Sequence, residues 1–202
     1  METFKIVIAG VGGQGTLLAS RMLALSAIEA GHQVKIGETY GMAQRGGPVM
    51  SHIQIGGEAY SPQLRPREAD ILIGFELAEA VRRGVTYLRN GGLAVINSRK
   101  FPPVEVTSGM MHYPTEAELL ALLGEVTDDV AVFDATALAE EAGDPITTNV
   151  VMLGALTASG SLPFTRETVL KVMRENLRSA YFDTNVRAFE LGMKGFTDSG
   201  RR

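Results

Sequence analysis

The chain has 202 residues, 45% apolar and 21% charged, with 19 basic against 23 acidic side chains and a formal net charge of −4. Those values suit one large α/β domain with a sizeable core and exclude a disordered or membrane-embedded chain. No long basic cluster is present to neutralise nucleic-acid phosphates, and without any cysteine these residues can form no disulfide, thiolate nucleophile, thiolate-bound zinc or cysteine-ligated iron–sulfur cluster.

The pattern predicts a single domain over 1–196 with a polar tail over 197–202. No apolar run approaches the roughly 18 residues of a membrane helix, and the N-terminus lacks the basic and apolar regions of a signal peptide, so a cytoplasmic location is expected. Lys5 to Ala9, with Ile6, Val7 and Ile8 in continuous apolar sequence, reads as a parallel strand buried on both faces. It runs into Gly10-Val11-Gly12-Gly13-Gln14-Gly15, and Gln14 to Ala30 then carries a broad apolar stripe at helical spacing, stopped by Gly31. His32 to Gly37 predicts a second strand, completing a βαβ unit.

Glu38 to Gly47 breaks the rhythm with three glycines and polar groups, and is expected as a long loop at the carboxyl end of that strand. Val49 to Ile55 and Glu58 to Tyr60 predict a hairpin turned by Gly56-Gly57. Asp70 to Phe75 is the next parallel strand, Glu76 to Arg89 its helix, and Leu93 to Asn97 a further strand. A connection follows, then a short helix over Glu116 to Leu123, a strand over Asp129 to Phe133 and a helix over Ala137 to Ala142. The remainder is helical over Thr148 to Ser159, Thr165 to Arg178 and Asn185 to Lys194. The expected fold is therefore a doubly wound, mostly parallel Rossmann-like α/β sheet with a β-hairpin insertion and a helical C-terminal third.

The order strand, bare-backbone turn, helix builds an anion site. Glycines let the main chain approach a phosphate, and the first helical turn offers unpaired N–H groups at a positive dipole end. Gly10, Gly12, Gly13, Gln14 and Gly15 are the candidate contacts. The spacing Gly10-x-Gly12-x-x-Gly15 also fits a dinucleotide fingerprint, with Glu38, 23 residues after Gly15, in loose register for the ribose-binding acid. In Tyr40 to Gly47, Arg45 beside Gly46 joins a bidentate anion donor to approachable backbone, and Tyr40 adds a rigid aromatic face. Asp134 and Thr136 read as helix caps. His32, His52 and His112 show no general acid/base constellation. Gly154, Ala155 and Ala158 allow close approach of another helix, either within the fold or across a subunit interface.

Three segments together carry a family likeness: Gly10-Val11-Gly12-Gly13-Gln14-Gly15, Tyr40-Gly41-Met42-Ala43-Gln44-Arg45-Gly46-Gly47, and Asp134-Ala135-Thr136-Ala137-Leu138-Ala139 running on to Asn149-Val150-Val151-Met152-Leu153-Gly154. In this order, and over nearly the whole chain, the sequence resembles the gamma subunit, or gamma-type domain, of the 2-oxoacid:ferredoxin oxidoreductases, which include pyruvate, 2-oxoglutarate, ketoisovalerate and indolepyruvate enzymes. The resemblance implies a thiamine-diphosphate enzyme that oxidatively decarboxylates a 2-oxoacid, transfers the acyl group to coenzyme A and passes electrons through iron–sulfur clusters to ferredoxin. It implies that diphosphate and clusters sit mainly on partner subunits, that this chain alone is inactive and carries no catalytic residue or metal of its own, and that Asn149 joins the cofactor-binding set. A homodimer of the isolated chain is compatible with it. A free-standing NAD(P)-binding oxidoreductase or binding module is the alternative reading of the glycine turn.

Overall fold

The computed structural model describes residues 3–40, 46–57, 61–102, 106, 110 and 112–200. Its centre is a six-stranded sheet of order β2-β3-β1-β4-β5-β6, formed by β1 (Phe4–Val11), β2 (Val34–Tyr40), β3 (Pro48–Ile55), β4 (Ala69–Gly74), β5 (Leu88–Asn97) and β6 (Val130–Phe133). β3 runs antiparallel to both β1 and β2, and the contacts β1–β4, β4–β5 and β5–β6 are parallel.

The alternation of β1 divides the core. Ile6 and Ile8 join Ile53, Ile55, Ile71 and Ile73 on one face, while Val7 and Ala9 join Leu72, Ala94 and Ile96 on the other. Helix α1 (Thr16–Glu29) packs on the first face with α5 (Thr148–Ala158), α6 (Arg166–Asn176) and α7 (Phe182–Asp198). The second face is covered by α2 (Leu77–Tyr87) and α3 (Glu116–Gly124). Helix α4 (Ala135–Ala142) follows β6 directly. Among the described residues no helix is long and apolar enough to cross a membrane.

The doubly wound, mostly parallel sheet agrees with expectation, and its antiparallel element differs in placement. β3 lies between β1 and β2, so β2 forms the sheet edge. Burial explains the order: every residue of β3 after Pro48 is buried, whereas β2 carries Lys35, Glu38 and Thr39 exposed. A strand covered on both faces sits inside a sheet, and one with exposed charged and polar side chains sits at its rim. The expected second hairpin arm, 58–60, lies outside the described residues. β2 also extends through Glu38, Thr39 and Tyr40, which the sequence suggested were loop, because they pair with Ser51, Met50 and Val49.

Two helix ends differ as well. α2 stops at Tyr87, short of the expected Arg89, because buried Leu88 pairs with Ala69 and Arg89 Nε donates to Asp70 Oδ1 at 2.8 Å. α7 begins at Phe182 and runs to Asp198, into the stretch expected as tail, with Phe196 buried against the core. Thr165 caps α6, accepting from the Thr168 N–H.

The crossing of α5 and α7 is unusually close. A Cβ on Gly154 would lie 2.0 Å from the Phe189 carbonyl oxygen, and one on Gly192 would lie 1.9 Å from that of Val151. The open side of Gly154 is thus filled by α7 within the fold, which rules out the reading of Gly154 as part of a subunit interface.

Candidate functional site

β1 delivers the glycine turn to the carboxyl edge of the sheet. The Gln14 N–H closes it on the Val11 carbonyl at 3.3 Å, and Gly15 opens α1 in a left-handed conformation, φ 77° and ψ 19°. Gly13, at φ 104°, is exposed, and a Cβ added there would meet nothing within 4 Å among the described residues. Both backbone states suit glycine and strain other residues. Among the described residues no side chain caps α1, and its first turn holds no acid, so its leading N–H groups and positive end turn toward the rim.

The other candidate residues divide between this rim and the framework behind it. Gly46 is brought to the turn: its N–H donates to the Gly12 carbonyl at 3.2 Å, and the Gly12 N–H donates to the Gly47 carbonyl at 2.8 Å. Asn149, near the start of α5, abuts Gly15; a Cβ there would lie 2.6 Å from Asn149 Nδ2. Its Oδ1 accepts from the Val150 N–H at 2.8 Å. Tyr40 ends β2 opposite Val49, and Arg45 lies outside the described residues.

Gln14 and Gly10 are built into the framework of the turn. Gln14 Oε1 accepts from the Val11 N–H at 2.9 Å and its Nε2 donates to the Phe75 carbonyl at 3.2 Å, which uses both ends of the amide internally. Gly10 is buried, and a Cβ on it would lie 2.9 Å from Gln14, Phe75 and Thr16 alike. Asp134 caps α4 by accepting from the Ala137 N–H at 2.9 Å, as its sequence position suggested.

These contacts weigh against a dinucleotide. β1 and β4 are the neighbouring strands whose helices leave to opposite faces, and the crevice between their carboxyl ends is where doubly wound folds place ligands. Here the Gln14 amide fills it. Glu38 stands on β2, two strands or about 10 Å from β1, and accepts from Ser20 Oγ at 3.1 Å.

Cavities flank the rim on both faces. One of about 640 Å³ is lined by Leu18, Asn149, Ile146, Arg178 and Tyr181, with Ile146 76% and Tyr181 54% exposed. The other, of about 210 Å³, is lined by Val11, Gly46, Glu76, Phe101, His112 and Tyr113. Its base is Glu76, buried at the start of α2, which accepts from the Glu79 N–H at 2.9 Å, the Phe101 N–H at 3.2 Å and the Tyr113 hydroxyl. Burial, and then the Glu76 carboxylate, hold the Tyr113 phenol well above its usual range.

His52 is buried, and its Nδ1 accepts from the Leu64 N–H at 3.3 Å. Burial, helped by the Arg83 charge, lowers its pKa, which favours a neutral structural histidine. Among the described residues no three His, Asp or Glu side chains converge to hold a metal ion.

Sequence reasoning missed Glu76, Tyr113 and Asn97. Glu76 had a readable signal, an acid placed to cap the helix after a buried strand. Asn97, 1% exposed at the end of β5, had only the oddity of a polar residue closing an apolar strand.

Residues 5–195 match the family model described as pyruvate ferredoxin/flavodoxin oxidoreductase. The chain is 41% identical over 195 residues to the indolepyruvate oxidoreductase subunit IorB of Thermococcus kodakarensis, spanning 96% of each protein. It is 28% identical to the pyruvate/ketoisovalerate oxidoreductases common subunit gamma of the same organism, over 92% of this chain and 93% of that one. The crystal structure of a keto/oxoacid ferredoxin oxidoreductase gamma subunit from Geobacter sulfurreducens has the same fold, with a TM-score of 0.74 at 23% identity over 98% of this chain and 99% of that one.

Proposed function

The chain belongs to the pyruvate ferredoxin/flavodoxin oxidoreductase family, as a gamma-type subunit of a 2-oxoacid:ferredoxin oxidoreductase, and we propose that its glycine turn forms one wall of a site completed by a partner subunit. The observation that carries this reading is the start of α1, uncapped among the described residues, beside exposed Gly13 and next to a switch-point crevice already filled by Gln14. A ligand cannot sink between β1 and β4, so an anion here is held at the rim, where a second chain can reach it.

In this reading the backbone N–H groups of Gly13 and Gly15, on a turn that Gly12, Gln14 and Gly46 hold in shape by their own hydrogen bonds, orient an anionic group of the phosphate class together with Asn149, Tyr40 and Arg45. Thiamine diphosphate on the partner and coenzyme A are the two sources the family likeness suggests, the first supplying the chemistry of oxidative decarboxylation. The described residues suit the anion alone, since no metal-binding group converges among them. With no cysteine in these residues, iron–sulfur clusters and the transfer of electrons to ferredoxin fall to partner subunits. Exposed Ile146 and Tyr181 beside the rim give such a partner apolar surface to cover. The cytoplasm is the compartment we assign to the complex.

The test is reconstitution. The chain is co-purified with its thiamine-diphosphate-bearing subunit, and viologen reduction is followed with indolepyruvate, pyruvate, 2-oxoglutarate and 2-ketoisovalerate, each with coenzyme A. The chain alone is expected to be inactive and the complex to reduce viologen with at least one substrate. A chain that never leaves the monomer and supports no turnover, or one that binds NADH at micromolar concentration, overturns the proposal.

A further inference from the structure

Behind the glycine turn lies a buried polar junction that the proposed function does not use. Asn97 closes β5, and all four hydrogen bonds its amide can make are made. Nδ2 donates to the Phe75 carbonyl at 3.2 Å and to Thr136 Oγ1 at 3.1 Å. Oδ1 accepts from the Ala135 N–H at 3.0 Å and the Arg99 N–H at 3.3 Å. The Phe75 carbonyl is saturated as well, because its second lone pair takes the Gln14 Nε2–H at 3.2 Å. One peptide oxygen therefore joins the exit of β4, the start of α4 and the glycine turn.

We infer that Asn97 is a positioning residue for the glycine turn, acting through the Phe75 carbonyl and Gln14. The path is continuous: Asn97 fixes Phe75, Phe75 fixes the Gln14 amide, Gln14 Oε1 holds the Val11 N–H at 2.9 Å, and Gly12, the next residue, exchanges hydrogen bonds with Gly46 and Gly47. An amide is the side chain this requires. With Gln14 and Asn97 sharing the two lone pairs of a single oxygen, rotation of either would leave a buried donor without an acceptor, which fixes both orientations. Gln14 is partly exposed, whereas Asn97 is anchored on three elements, so Asn97 is the fixed end and Gln14 the dependent one.

The consequence for function rests on the reading of the turn as an anion contact; the positioning itself does not. Two variants separate the bonds. Asn97→Asp keeps the acceptor for Ala135 and Arg99 and sets an oxygen against the Phe75 carbonyl, while the Thr136 hydroxyl can turn to donate. Thr136→Val removes the other Nδ2 partner and leaves the Phe75 bond in place.

The test is amide hydrogen exchange on the full chain at pH 8, read at Val11 and Gly12 against Ile6 to Ile8 in the same strand, with inorganic pyrophosphate titrated in parallel. Asn97→Asp is expected to speed exchange at Val11 and Gly12 about tenfold, the effect of losing one buried hydrogen bond, and Thr136→Val to leave both unchanged. Gln14→Glu, which breaks the same junction from its partly exposed side, is expected to reproduce the change and to add little when combined with Asn97→Asp; should Asn97→Asp not fold, Gln14→Glu with Asn97→Ser carries the same comparison. Unchanged exchange in Asn97→Asp and Gln14→Glu, equal changes in Thr136→Val, or full additivity of the pair overturns the inference. Faster exchange with unaltered pyrophosphate binding upholds the positioning and tells against the anion reading of the turn.

Discussion

Two glycine-rich regions of this molecule use the missing side chain in opposite ways. At the α5–α7 crossing, Gly154 and Gly192 each face a carbonyl oxygen that a Cβ would approach to about 2 Å. At the turn after β1, Gly13 has nothing among the described residues within 4 Å of where its Cβ would stand. The first pair lets two helices pack backbone to backbone, and the second site leaves backbone open to the outside. Composition cannot tell them apart, but the neighbours can. A glycine whose side-chain space is full supports the fold, and one held at positive φ with empty space around it has its conformation to explain by something else.

The comparison breaks most sharply at the helix crossing. Gly154→Ala or Gly192→Ala must push α5 and α7 apart, and the expected loss is about 3 kcal/mol or more of stability, read by thermal or urea unfolding. A loss under about 1 kcal/mol, small for overpacking of this kind, would mean that the helices are not in backbone contact. Gly15→Ala comes next, expected at about 1–3 kcal/mol for a left-handed non-glycine residue, with Asn149 displaced as well. Gly13→Ala carries a similar strain without any collision, so about 1–2 kcal/mol is expected, with a disproportionate effect on pyrophosphate binding.

A smaller, pH-dependent effect sharpens the contrast from outside both regions. His52 is held neutral, its folded pKa below its unfolded value, so the unfolded chain binds the extra proton as pH falls. Its contribution is complete above the ordinary histidine value of about 6.5 and declines as pH drops below it. The melting temperature of the wild type is expected to fall more between pH 7.5 and pH 5.5 than that of His52→Gln; equal slopes would remove His52 from the account.

The sheet was legible in the sequence because buried strands declare themselves. Ile6 to Ala9, Ile71 to Phe75 and Ala94 to Ile96 are continuously apolar and covered on both faces. What misled was edge chemistry. Glu38, Thr39 and Tyr40 are polar for a strand, yet at a rim they need only the backbone of β3. The place of β3 between β1 and β2 is a nonlocal choice made by its two buried faces, which no local pattern reports. At the site, the turn and Gly46 were visible as glycines, whereas the inward direction of Gln14 depends on the Phe75 carbonyl, 61 residues away. Asn97 stayed hidden for the same reason: three of its four partners, on Phe75, Ala135 and Thr136, lie 22 to 39 residues away.

The central claim is that the open glycine backbone works at a site shared between subunits, and one matched comparison tests it most directly. Gly91 resembles Gly13 in conformation, at φ 66° with nothing near its Cβ position, but stands at the opposite end of the sheet. In the reconstituted complex, Gly13→Ala is expected to lower kcat/KM for the 2-oxoacid about tenfold, the cost of about one hydrogen bond to a charged group, while assembly is retained and Gly91→Ala stays at the wild-type value. Equal activity of the two variants, whether both unchanged or both reduced, would contradict the account.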